Sequence, residues 1–158
     1  MIVREYRSED CEELLRLFYG TVHAVNARDY TKEQLDAWAT GKEDAARWDA
    51  SLRAHYALVA EESGKIVGYG FVVSAGEDAD LANIAVDESF RRRGIAAGIL
   101  DNLEGAAASA GVKRIFLEVR VSNAAAMSLY LKRGYIGRYV RPRYYGDGED
   151  ALIMQKDL

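Results

Sequence analysis

An apolar run over residues 81–86 passes within a few positions into Arg91-Arg92-Arg93-Gly94-Ile95-Ala96, and an amphipathic stretch follows directly. Strand, glycine-bearing loop and helix in that order restrict the fold more than anything else in the chain. A further alternating segment follows at 114–121, where Ile115, Leu117, Val119 and Val121 share one face and Phe116, Glu118 and Arg120 the other. Strand, helix and strand in succession make a crossover, and crossovers join strands that run parallel. The remaining strands come as hairpins. The expected architecture is therefore α/β (α+β), with a mixed sheet and helices on both faces.

The other elements follow from periodicity. Ile2, Val3 and Tyr6 suggest a short first strand. Ser8 then reads as an N-cap, and Leu14, Leu15, Phe18, Val22 and Val25 recur at helical spacing to about residue 26. Residues 31–34 form a capping box for a second helix that carries Leu35 and Trp38 and closes at Gly41. A third, shorter helix is centred on Trp48 and Leu52. Residues 55–61 and 65–74 are strands joined at Ser63-Gly64, and a loop over 76–79 leads to the strand at 81–86. A helix is expected over 92–109, ending before Gly111, and another over 124–132, stopped by Gly134. Strands over 135–140 and 150–155 close the chain around Gly146-Asp147-Gly148. The order is β-α-α-β-β-β-α-β-α-β-β, with no linker, so the 158 residues make a single domain.

Composition excludes several function classes. One cysteine, Cys11, allows no internal disulfide. With only His23 and His55 beside it, a structural metal cluster is not expected. No stretch approaches the roughly 20 apolar residues of a membrane span, and the charged N-terminus shows no signal peptide, so a cytoplasmic protein with no membrane partner is expected. The net charge of −4 makes nucleic acid a poor partner. It conceals an asymmetry: residues 1–90 carry 9 basic and 18 acidic side chains, and residues 91–158 carry 12 and 7. An anionic ligand on the second half and a cationic one on the first would suit that division.

The loop at 91–96 supplies the anion site. Small residues at 94 and 96 let backbone approach a ligand closely. Free N–H groups at the helix start, with three arginines, match a pyrophosphate. The Gly-Lys-Ser/Thr of a nucleoside-triphosphate loop is lacking, and no Gly-x-Gly-x-x-Gly opens a helix.

These features resemble the GNAT acetyltransferase superfamily, in which this strand, loop and helix hold acetyl-CoA. The resemblance sharpens over residues 83–87 (NIAVD), 116–135 (FLEVRVSNAAAMSLYLKRGY) and 143–154 (RYYGDGEDALIM), which are similar to RimI-like protein N-terminal (alanine) acetyltransferases. Residues 23–38 (HAVNARDYTKEQLDAW) look more like YafP-type acetyltransferases. The resemblance implies a GNAT fold with a partly splayed central sheet of about seven strands. It implies direct acetyl transfer from acetyl-CoA to a primary amine, without a covalent enzyme intermediate and without a metal.

The implied base is Glu118 and the implied acid Tyr130, which lies twelve residues later on the following helix. CoA contacts fall on Ile84, Ala85, Val86, Arg91, Arg92, Arg93, Gly94, Ile95, Ala96 and Asn123. Asn123 also reads as a helix cap. The strand edge that includes Asn83 would face the thioester and its oxyanion. Tyr144 and Tyr145 fall in the loop that lines the peptide channel of N-terminal acetyltransferases, and Tyr30 with His23, Asp29 and Trp38 in the other wall. Glu77, Asp78 and Asp80 are candidates to attract a cationic amine. The expected acceptor is a protein or peptide N-terminus. The alternatives are a small amine, or an acyl-CoA-binding module without turnover. A monomer or a homodimer is expected.

Overall fold

The computed structural model describes residues 1–25, 31–33, 35, 41 and 43–158. Seven strands form one sheet in the order β1-β2-β3-β4-β5-β7-β6. They are β1 (Ile2–Glu5), β2 (Tyr56–Glu62), β3 (Lys65–Ala75), β4 (Asp78–Val86), β5 (Arg114–Arg120), β6 (Ile136–Arg141) and β7 (Ala151–Asp157). Helices α1 (Cys11–Gly20), α2 (Ala45–Ala54), α3 (Ile95–Ser109) and α4 (Ala124–Lys132) accompany them. All pairs are antiparallel except β4 with β5, the pair joined by the α3 crossover. The mixed sheet expected from the pattern is present. Of the second expected helix, Lys32, Glu33 and Leu35 are described and helical, with the Leu35 amide donating to Thr31 C=O at 3.0 Å; Trp38, and Tyr30 before the helix, lie outside the described residues.

Alternation along β2 divides the interior into two layers. Val59 joins Leu14, Phe18, Leu52 and Tyr69 beneath α1 and α2. Leu58 and Ala60 join Ile95, Ile99, Leu100 and Leu103 beneath α3, where Tyr130 and Met154 also pack. The seat of α3 on β3 is close because Gly68 and Gly70 carry no side chain. A Cβ on Gly70 would stand 3.0 Å from Ile99 Cγ2 and 3.1 Å from Leu103 Cδ1. Among the described residues, no helix is long and apolar enough to cross a membrane.

Several boundaries differ from the sequence expectation, each for a local reason. Ser8 does not cap α1. It opens a 3₁₀ turn, Ser8–Asp10, and its hydroxyl donates to Asp49 at 3.2 Å. Asp10 precedes the helix instead, with its carboxylate taken by the Arg4 guanidinium at 2.9 Å and by the Arg7 amide. The α-helix stops at Gly20, and a π-type turn, Thr21–Val25, continues it. The loop expected over 76–79 contracts to a tight turn at Gly76, φ +63°, so β4 already begins at Asp78. Helix α3 starts at Ile95 rather than 92, because Arg92 (φ +64°) and Gly94 (φ +75°) are both left-handed. Strand β5 ends at Arg120. Val121 is exposed and Arg120 is buried, the reverse of the expected alternation at that end.

Candidate active site

The parallel ladder between β4 and β5 holds three residue pairs: Asp78 with Arg114, Ala79 with Ile115, and Asp80 with Phe116. Beyond Asp80 the two strands part. A bulge assists the divergence, since Phe71 pairs with Asn83 while Val72 pairs with Leu81, which leaves Ala82 as the extra residue. From Leu81 to Val86, β4 is therefore bound to β3 on one side only, and its other edge faces the opening with free ladder positions. Antiparallel β3 and β7 pin the two arms of the wedge.

Glu118 projects from β5 two positions past the last rung, with Ile153 of β7 directly across. Its neighbours Ile115, Leu117 and Val119 belong to the α3 layer, which sends Glu118 to the opposite face, the α1 face. Burial raises the carboxyl pKa from its ordinary 4.5. The like charge of Asp80 raises it further, and Arg141 draws it partly back. Of the three acids singled out at 77–80, Glu77 is paired with Lys113 at 2.9 Å and Asp78 with Arg114 at 2.6 Å, while Asp80 acts on Glu118. A carboxylate so placed takes up a proton more readily than an exposed one.

Tyr130 lies on α4 in the α3 layer, near enough to Tyr145 to feel its charge. It is 7% exposed, and its ring meets Tyr135 edge-on at 5.8 Å between centroids. Tyr135 in turn donates to Glu104 at 2.9 Å, and Lys156 donates to the other Glu104 oxygen at 2.8 Å, so the support is fixed from α3 and β7. Burial, with Tyr145 adding to it, holds the Tyr130 hydroxyl protonated well above its usual range. Asn123 caps α4 by accepting from the Ala126 amide at 3.2 Å. Asn83 donates to the buried Tyr69 hydroxyl at 2.9 Å, which fixes its side chain.

At the far end of β4, Asp87 caps the 3₁₀ turn Glu88–Phe90 through the Ser89 amide. Arg91, Arg92, Arg93 and Gly94 follow, all exposed. The guanidinium of Arg93 lies 4.9 Å from the Phe90 ring centroid and 3.5 Å from Glu62. Gly94 offers no side-chain cap, so the first amides of α3, at Ile95 and Ala96 among them, remain open. Three guanidinium groups and the start of a 15-residue helix thus share one corner. Ile84 and Val86 pack with the α3 layer, and Ala85 with the α1 layer.

Tyr144 and Tyr145 lie in the connection from β6 to β7, edge-on to each other at 5.1 Å. The Tyr145 ring covers the Arg120 guanidinium at 4.0 Å. Burial pushes the Tyr145 hydroxyl up to about 12, with Arg120 opposing and Glu118 adding to the rise. The structure thus gathers Asn83, Glu118, Tyr130 and Tyr145 around the wedge. The arginine loop stands at its β4 end and Asn123 at the start of α4. Tyr30 is outside the described residues. Two surface cavities, of about 420 and 210 Å³, lie between α1 and Asp87, and Glu118 lines neither. Sequence reasoning passed over Arg120. No local signal marks it, since its partners Asp147 and Glu149 lie 27 and 29 residues later in the chain.

Residues 10–135 match the family model described as Acetyltransferase (GNAT) family. Over 96 residues the chain is 38% identical to a [ribosomal protein bS18]-alanine N-acetyltransferase of Escherichia coli, covering 59% of this chain and 65% of that one. The match therefore spans slightly less than two thirds of that relative. An uncharacterised N-acetyltransferase of Methanocaldococcus jannaschii is 39% identical over 160 residues, covering 99% of this chain and 91% of its own. Among solved structures, the PaiA N-acetyltransferase of Thermoplasma acidophilum in complex with coenzyme A superposes with a TM-score of 0.86. It shares 18% identity and covers 99% of this chain and 98% of its own, a likeness of fold.

Proposed function

The chain belongs to the GNAT acetyltransferase family, and we propose that it is an N-acetyltransferase that moves the acetyl group of acetyl-CoA directly onto the α-amine of a protein or peptide N-terminus. The observation that carries this reading is Glu118. It is a half-buried carboxylate with a raised pKa, in the gap where β5 parts from an unpaired β4 edge. The pantetheine arm lies along that edge as an added strand, and the pyrophosphate meets Arg91, Arg92, Arg93 and the first amides of α3. The match to alanine N-acetyltransferases and the pair Tyr144 and Tyr145 favour a peptide terminus as acceptor.

An amine attacks only as the free base. An α-amine titrates near 7.7–8.0 and a lysine amine near 10.4, so the terminal amine needs the smaller displacement at neutral pH. Glu118 accepts the proton that the nitrogen loses as the N–C bond forms, directly or through one water. The carbonyl oxygen becomes an oxyanion, held by N–H groups along residues 83–86. The C–S bond then breaks, and the Tyr130 hydroxyl donates to the departing sulfur. The products are the N-acetyl terminus and CoA thiol.

Thiol release from acetyl-CoA tests the reading. Three acceptors are offered: a peptide with a free N-terminal alanine and no lysine, the same peptide blocked, and a panel of small amines. Turnover confined to the free peptide is expected. Turnover confined to small amines refutes the peptide acceptor and keeps the chemistry. Tight CoA binding with no turnover on any acceptor refutes both.

A further inference from the structure

The connection between β6 and β7, residues 142–150, carries the two tyrosines of the acceptor wall and is poorly equipped to hold them. It contains Gly146 and Gly148, the latter at φ +90°, and Arg143 at φ +51°. It leaves an edge strand, β6, all of whose residues are exposed. Loops of this composition have many accessible conformations. Side chains from outside the loop gather it, Arg120 foremost. The Arg120 guanidinium, 5% exposed at the end of β5, donates through one nitrogen to Asp147 at 2.8 Å and to Glu149 at 3.0 Å. The other Glu149 oxygen accepts from the Ser122 amide at 3.2 Å and from the Ser122 hydroxyl. Within the loop, the Tyr145 amide donates to Glu149 C=O at 3.2 Å and the Gly148 amide to Tyr145 C=O at 2.9 Å. The flat face of the same guanidinium lies under the Tyr145 ring at 4.0 Å.

Burying one cation with two carboxylates is costly, and apolar replacements of such groups are often no less stable. What the arrangement does secure is a single loop conformation. Arg120 stands two residues beyond Glu118 on the same strand, so one rigid element carries both the base and the clamp.

We propose that Arg120 is the positioning residue of the acceptor wall: its Nη1 holds Asp147 and Glu149, its guanidinium lies against the Tyr145 ring, and β5 sets both at a constant distance from Glu118. The assignment rests on the reading of Glu118 and Tyr145 given above. Arg120 touches neither donor nor acceptor. It acts through Tyr145, and its loss is expressed in acceptor binding.

Arg120→Lys keeps the charge and a donor for the carboxylates but has no planar guanidinium to lie against the Tyr145 ring. Steady-state thiol release is measured with acetyl-CoA and the free-alanine peptide for wild type, Arg120→Lys, Tyr145→Ala and the double variant. Arg120→Lys is expected to raise the peptide KM at least tenfold, with the acetyl-CoA KM within twofold and kcat within threefold of wild type. In the Tyr145→Ala background the same substitution is expected to change the peptide KM less than twofold. Equal rises in both KM values, an unchanged peptide KM, or a full effect without the Tyr145 ring overturn the proposal. Should Arg120→Lys not fold, Glu149→Gln, which leaves the Asp147 contact in place, is read by the same split. A wild-type protein that acetylates no amine overturns the functional reading and this one with it. Turnover by wild type without the split overturns this one alone.

Discussion

Gly68→Ala adds one methyl group at the point where α3 rests on the sheet. An ideal Cβ there meets the Ala85 carbonyl oxygen at 3.1 Å, Ile99 Cδ1 at 3.1 Å and Ile95 Cγ2 at 3.2 Å. All three distances are inside ordinary contact. One neighbour is backbone, and the two isoleucines are 0% and 3% exposed, so neither side chain can swing into solvent. Overpacking of this kind costs about 1–3 kcal/mol. Alanine regains roughly 0.5–1 kcal/mol over glycine within a strand, which leaves a net loss of about 0–2.5 kcal/mol, near 1 at the middle of both ranges. For a chain of this length the mid-range loss lowers Tm by roughly 2–4 °C. Gly105→Ala is the internal control: it lies mid-helix on α3 with nothing within 4 Å of its Cβ. It is expected to gain about 1 kcal/mol and raise Tm by roughly 2–4 °C. Calorimetry and urea midpoints on the same preparations decide the matter. A Gly68→Ala protein as stable as the parent would refute the close seating of α3. The strain also has a functional sign. Displaced Ala85 and Ile95 belong to the β4 edge and the start of α3, so the acetyl-CoA KM should rise more than the acceptor KM.

Three further outcomes are expected. Glu118→Gln lowers kcat by roughly 10²–10⁴-fold while CoA affinity, measured by calorimetry, is kept. Because the base acts deprotonated and its pKa lies above 4.5, activity falls on the acid side at a higher pH than an exposed glutamate would give. Asp80→Asn moves that limb to lower pH and Arg141→Gln to higher pH, and the reverse order would sink the assignment. Tyr130→Phe keeps the ring against Tyr135 and hence Tm, but lowers turnover by roughly 10²-fold; unaltered turnover would make Tyr130 a core aromatic. Asp10 is held below the usual carboxylate range: burial pushes it up, but the Arg4 guanidinium and the Arg7 amide outweigh that. Its contribution to stability is therefore complete above the unfolded value of about 3.9 and is lost as pH falls through the folded one. Asp10→Asn should cost about 1–3 kcal/mol at pH 7, measured by urea unfolding, with the difference vanishing in strong acid.

Local signals announced most of the architecture, because the strands and helices obey their own periods and α3 and α4 stop before glycines with positive φ, Gly111 and Gly134. The parallel crossover and the arginine loop were legible for the same reason. What escaped the sequence depends on contacts across long separations. Ser8 has the composition of a cap, yet Asp49, 41 residues away, takes its hydroxyl. Arg120 reads as a solvent-facing charge until a loop 27 residues later brings Asp147 against it. The exit of β4 from the ladder after Asp80 hinges on an extra residue, Ala82, whose neighbours in sequence give no hint of it. For the site, Glu118 stood out as an acid among apolar neighbours. Its raised proton affinity comes first from burial and then from Asp80 on another strand.

The short parallel ladder has a mechanical consequence. It divides the sheet into a four-stranded plate and a three-stranded plate, sharing a hinge line only three residue pairs long. The hinge is fastened from outside by the Lys113 and Arg114 amides on Glu77 C=O and by the exposed pairs Lys113–Glu77 and Arg114–Asp78. Exposed pairs contribute little, about 0–1 kcal/mol each, so the backbone rungs bear most of the torque. A small rotation about such a line is magnified along the arms. The distance between Glu118 and the β4 edge is therefore governed from the end of the sheet remote from the reacting atoms, and substitutions near residues 77–80 and 113–116 would act on catalysis by changing the aperture rather than the chemistry.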